Sequence, residues 1–112
     1  MPLDLFAGIY VRDYETACAW YTKLFGFDPF VVSAREAVWE LAPRRSIVIE
    51  VNADHAGHAI HTVFVDDLDA FVAAAATLGI EPATRETYDN GVRKALYRDP
   101  DGNEIGIGGA PT

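Results

Sequence analysis

Cysteine occurs once in the 112 residues, at Cys18, so no disulfide can form within the chain. Cys18 sits in a helical pattern among apolar neighbours and is expected to be a buried structural thiol. Bases are scarce: nine Lys and Arg stand against 17 Asp and Glu, for a net charge of −8. A surface of that sign repels phosphate, which argues against nucleic acid and anionic membrane and leaves a neutral or cationic small molecule as the fitting partner. No stretch approaches the roughly 20 apolar residues that span a bilayer. Asp4 interrupts any secretory leader, so a cytoplasmic location is expected. The only glycine-rich run, "GIGG" at 106–109, follows a strand and opens no helix, so it is no phosphate loop. Ser33 and Ser46 have no histidine placed beside them by any motif, and no nucleophile–base pair can be assigned.

What is present is core material. Half the residues are hydrophobic and 12% are aromatic, enough for one compact domain spanning 1–112. A chain this short buries a modest share of its surface, which favours pairing with a second copy.

Two segments repeat one another. "GIYVRDYETACAWYTKLFGFDP" covers 8–29 and "TVFVDDLDAFVAAAATLGIEP" covers 62–82. Val11 matches Val65, Asp13 matches Asp67, Gly26 matches Gly79 and Pro29 matches Pro82, in the same order. Duplication follows, with one module over about 1–53 and a second over about 58–110. Asp13 and Asp67 are placed to cap helices, and Glu15 and Asp69 suit the positive end of the dipole. Tyr14, Ala17, Cys18, Tyr21 and Leu24 form one apolar helical face; Leu68, Phe71, Val72, Ala75 and Leu78 form another. Gly26 and Gly79 suit left-handed stops. Three strand-like runs follow each helix, and "DPDGN" at 99–103 is a strong turn. Each half therefore reads strand, helix, three strands. The fold class is α+β: two βαβββ modules forming a cupped mixed sheet, helices on the outer face.

"YVRDYETACAWYTKLFGF", "FVDDLDAFVAAAATLGI" and "YRDPDGNEIGI" together resemble the vicinal oxygen chelate superfamily. That group holds glyoxalase I, extradiol dioxygenases and the bleomycin and fosfomycin resistance proteins. The resemblance spans nearly the whole chain. It implies paired βαβββ modules, a homodimer, and a cavity lined by both subunits. Fold alone does not assign the chemistry.

Metal-dependent members carry four ligands on strands, two per module. The first precedes the capping Asp by seven residues, which falls here on Phe6 and Ile60. The second lies on each module's last strand, which falls on Glu50 and Gly106. Only Glu50 has a donor, whereas a catalytic divalent site needs about three protein ligands and an open position. No metal and no cofactor are therefore expected. His55, His58 and His61 supply all the histidine. Strand alternation turns His61 away from the face of Ile60, places His58 near a cavity rim only if the strand reaches it, and leaves His55 in a loop.

By the same alternation Phe6 and Tyr10, Val48 and Glu50, and Ile60, Thr62 and Phe64 line the inner face, with Gly106 making room beside them. This is an aromatic, largely apolar cup with a few acids, suited to a small organic ligand. Trp39 joins it as a ligand-contact candidate, although its strand neighbours do not fix its face; core packing is the alternative. Glu50 is the one candidate for catalysis, either as a general base, as a counter-ion for a cationic ligand, or as a plain strand carboxylate. The faces of Arg93 and Tyr97 stay open. The leading expectation is a metal-free small-molecule-binding protein holding an aromatic or cationic ligand in a dimer cavity, with a resistance or sequestration role. The alternative is a glyoxalase-like lyase or isomerase, or a dioxygenase, using shifted metal ligands or Glu50 as an acid–base group.

Overall fold

The computed structural model describes residues 3–110. Their order is β1 (Leu5–Val11), α1 (Tyr14–Phe25), β2 (Phe30–Ser33), β3 (Glu36–Ala42) and β4 (Arg45–Val51), then β5 (Ile60–Val65), α2 (Leu68–Thr77), β6 (Thr84–Thr87), β7 (Arg93–Arg98) and β8 (Glu104–Gly109). The duplication read from the repeat is thus present as two βαβββ units.

Local signals set the helices. The Asp13 carboxylate accepts from Thr16 N at 3.0 Å, and Asp67 does the same from Ala70 N at 2.9 Å. Each satisfies a backbone donor that the first helical turn leaves free. Gly26 ends α1 at φ 84° and returns its N–H to Thr22 O. α1 buries Ala17, Tyr21 and Leu24; α2 buries Leu68, Val72 and Ala75. Two expectations are corrected. Cys18 is half-buried, because it lies at the edge of the α1 apolar stripe. Leu78 is exposed, because α2 stops at Thr77 and Leu78 is its cap, beyond the face that meets the sheet.

The strands form two four-stranded sheets, ordered β1-β4-β3-β2 and β5-β8-β7-β6. In each, the first and last strands of the module run parallel and the other pairs are antiparallel. Strand alternation sends Ile9, Val11, Ile47 and Ile49 to the helix side of the first sheet, and Ile105, Ile107, Ala95 and Tyr97 to that of the second. All eight are buried in one core shared with α1 and α2. The expected single cup is therefore two sheets. No ladder joins edge strands β1 and β5 among the described residues; side chains bridge them instead. His61 Nε2 lies 3.1 Å from Gly8 O, and Asn103 Nδ2 donates to Tyr10 O at 3.0 Å.

The turn "DPDGN" closes this junction. Buried Asp99 accepts from Tyr21 OH on α1 at 2.7 Å, from Asn103 Nδ2 at 2.8 Å, and from the backbone N–H groups of Asp101 and Asn103, each at 2.9 Å. Asn103, itself fully buried, uses its Oδ1 to accept from Ala59 N at 2.9 Å. Arg12 adds an ion pair to Asp101 at 3.5 Å. The linker between modules fits against the same turn. Gly57 has φ +94°, and a Cβ there would stand 2.6 Å from Asp101 O.

Burial and the neighbouring Asp99 carboxylate push the Tyr21 phenol far above its ordinary pKa of 10.0. A phenol raised by folding binds its proton more tightly in the native state. Its contribution is complete below pH ~10 and is lost as pH rises through the folded-state value. Replacing Tyr21 by Phe is expected to destabilise the chain by about 1–3 kcal/mol, since Asp99 loses a buried donor. Urea unfolding at pH 7 and pH 10.5 checks both points: wild-type stability falls between them, and falls less in Tyr21→Phe. Gly57→Ala combines a left-handed φ with a backbone clash and is expected to cost about 1–3 kcal/mol by the same measurement.

Candidate functional site

The face opposite the helices is open on both sheets. Register makes it three rows in each module. In the first these are Tyr10–Glu50–Glu36, Gly8–Val48–Val38–Phe30 and Phe6–Ser46–Glu40. In the second they are Ile60–Glu104–Arg98, Thr62–Gly106–Leu96–Thr84 and Phe64–Gly108–Lys94–Glu86. Phe6, Tyr10, Val48, Glu50, Ile60, Thr62 and Phe64 thus share the face on which alternation put them. Phe6, Phe30, Ile60 and Phe64 are 62%, 73%, 67% and 66% exposed, so they are left largely uncovered by the described residues. Val48 lies on this face but is already buried.

Charge divides unevenly between the modules. The strands of the first carry Glu36, Glu40 and Glu50 on the open face and no base. Those of the second carry Lys94 and an Arg98–Glu104 pair at 3.4 Å, with Glu86 at the edge. Glu36 and Glu50 sit directly opposite one another, a placement that like charges disfavour. Glu50 is exposed, so the burial that would favour a general base is missing.

Several residues take other roles. Trp39 faces α1, not the open side. It is fully buried, its ring lies 5.7 Å from that of Tyr21 and 6.2 Å from that of Phe25, and its Nε1 donates to Phe27 O at 3.1 Å. Both the indole area and its one donor are satisfied by the core. Gly106 does make room, but its own chain fills it: the Lys94 stem and Thr62 Oγ1 lie where a Cβ would be. Gly108 likewise accepts the Phe64 ring. Tyr97 and Arg93 both turn to the helix side, where Tyr97 stacks edge-on against Phe71 and Arg93 pairs with Asp69 at 2.9 Å. Burial raises the Tyr97 phenol above its usual pKa, and its hydroxyl has no hydrogen-bond partner among the described residues. Lys94, Leu96 and Arg98 are consequently the members of β7 on the open face, and alternation alone left that choice undecided.

The four positions that hold metal in metal-dependent relatives bring together one donor. Phe6, Ile60 and Gly106 offer no lone pair, and Glu50 is alone. No group of three or more His, Cys, Asp or Glu is arranged to hold an ion among the described residues. The residues present do not fit a catalytic divalent cation. The histidines do not supply the deficit. His61 turns to the seam, as alternation implies. His58 precedes β5, which begins at Ile60. His55 stands in the linker with its ring 6.0 Å from that of Tyr10.

No helix is long and apolar enough to cross a membrane among the described residues. No curated protein matches the chain. Solved structures do. A glyoxalase/bleomycin resistance protein from Catenulispora acidiphila DSM 44928 is 49% identical, with TM-score 0.95 over 98% of this chain and 100% of that one. A bleomycin-binding protein complexed with bleomycin is 19% identical, TM-score 0.79, over 96% and 98%. Lactoylglutathione lyase from Agrobacterium tumefaciens is 18% identical, TM-score 0.77, over 95% and 92%. The latter two share the fold. The family model matches residues 3–107. With the paired βαβββ units and the "DPDGN" turn in place, the chain belongs to the glyoxalase/bleomycin resistance protein/dioxygenase superfamily.

Proposed function

We propose that this chain is a metal-independent small-molecule-binding protein that holds an aromatic or cationic organic ligand between the open faces of two copies. One observation carries the reading. Exposed aromatics and carboxylates occupy the face on which metal-dependent relatives build their site, and three of the four chelating positions there are apolar or bare. Aromatic rings give a flat ligand area at low entropic cost, and the Glu36–Glu50 pair supplies a counter-charge. A fold neighbour that is a bleomycin-binding protein, solved with bleomycin, supports the reading.

The homodimer belongs to the same proposal. An apolar face this open on a small chain favours a partner that covers it. The charge asymmetry supports a pairing in which the acidic face of the first module meets the Lys94 and Arg98 face of the second in the other copy. Such complementarity sets register more than affinity. A cytoplasmic sequestration or resistance role follows from this reading.

Three measurements test it. Size-exclusion chromatography with light scattering is expected to give a dimer, and Ile60→Glu a folded monomer, because a charge buried at the interface without a partner is costly. Elemental analysis of the purified protein is expected to find less than one divalent ion per chain, and chelator to leave the melting temperature unchanged. In calorimetric titrations with ethidium, a flat aromatic cation, Glu50→Gln is expected to weaken binding by about 1 kcal/mol or more through loss of one charge-assisted contact. Stoichiometric metal required for activity would sink the reading in favour of a lyase, isomerase or dioxygenase.

A further inference from the structure

A second cavity opens at the seam between the modules, beside the open faces, with Ser46, Thr62 and Phe64 of those faces at its border. The seam between β1 and β5 is pinned at Gly8 by His61 and at Tyr10 by Asn103. Past these pins, towards Leu5 on one strand and Val65 on the other, no bond closes it among the described residues. The gap continues on the helix side as a cavity of about 510 Å³. That volume lies within the ~300–1,000 Å³ of small-molecule sites. Four phenylalanines wall it: Phe25 from the end of α1, Phe27 just after it, Phe64 on β5 and Phe71 on α2. Both modules contribute, but one chain suffices.

The charge in the wall is specific. Arg45 is the one Arg or Lys lining this cavity, His61 lines it too, and no Asp or Glu does among the described residues, in a chain of net charge −8. Arg93 pairs with Asp69 and Arg98 with Glu104. Arg45 has no ion-pair partner among the described residues, although Arg44 beside it pairs with Asp4 at 3.8 Å. A guanidinium free at the rim of an aromatic pocket matches a carboxylate in geometry as well as sign.

We infer that the seam cavity is a binding site for an aryl monocarboxylate, ring among the phenylalanines and carboxylate on Arg45. It shares Phe64 with the open face but differs from that reading in ligand charge and in needing no second copy. The probe is 4-phenylbutyrate, with 4-phenylbutylamine as its cationic counterpart. In amide NMR titrations of the full chain, 4-phenylbutyrate is expected to saturate at one per chain and to move the resonances of Ala7, Ile47 and Val63. Arg45→Gln, an exposed change that leaves the melting temperature in place, is expected to weaken the acid about tenfold or more and to leave the amine unaffected. The affinity is expected to be the same at protein concentrations above and below dimer dissociation, which separates this site from the open faces. Shifts centred on Gly8, Val48 and Leu96, an Arg45→Gln chain that binds the acid as well as wild type, or no saturation at millimolar probe would each overturn the inference.

Discussion

The buried carboxylate of Asp99 is the point on which the two halves turn. A lone carboxylate in a core is costly, and its cost is met only when every lone pair finds a donor. Asp99 finds four, from Tyr21 OH, Asn103 Nδ2 and two backbone N–H groups. Three of these lie in its own turn. The fourth comes from the helix of the other module, 78 residues away. The turn is thereby a structural part of both units. Asn103 extends the same network to Tyr10 O and Ala59 N, reaching the edge of the first sheet and the entry of the second. The positions of the two open faces relative to one another, and hence any shared site, depend on this set of bonds.

Much of this was legible in the sequence wherever the signal was local. An aspartate three residues ahead of a free N–H, a glycine at a helix end and an alternation of period two each act within a few residues. Asp13, Asp67, Gly26 and the Phe6–Tyr10 and Ile60–Phe64 faces accordingly stand where they were expected.

What was not legible depends on residues far apart. Trp39 has Ala37 as its same-face neighbour and Val38 and Glu40 flanking it, a pattern that suits either side of a sheet. The deciding partners are Tyr21 and Phe25, which only tertiary packing brings near. "DPDGN" reads as a turn by its Pro and Gly, and nothing within the five residues points to a tyrosine on a distant helix. For Gly106 the sequence left ligand room and relief of crowding both open; that Lys94 occupies the space follows from a cross-strand register and a long side chain. The second module's open face is therefore partly floored by its own residues, while the first module's Gly8 has nothing over it.

The division into two sheets leaves four strand edges where one closed sheet would leave none, and an unpaired edge is a template for aggregation. Each is blunted differently. β6 is four residues long and carries Arg85 and Glu86. β2 is as short and is interrupted by a register shift between Val31 and Ser33. β1 and β5, the longer pair, are turned towards each other, and the backbone carbonyls that would recruit a foreign strand are capped by the His61 ring and the Asn103 amide. The His61 ring is in this sense a plug. It keeps a duplicated β-protein from extending its sheets into those of its neighbours.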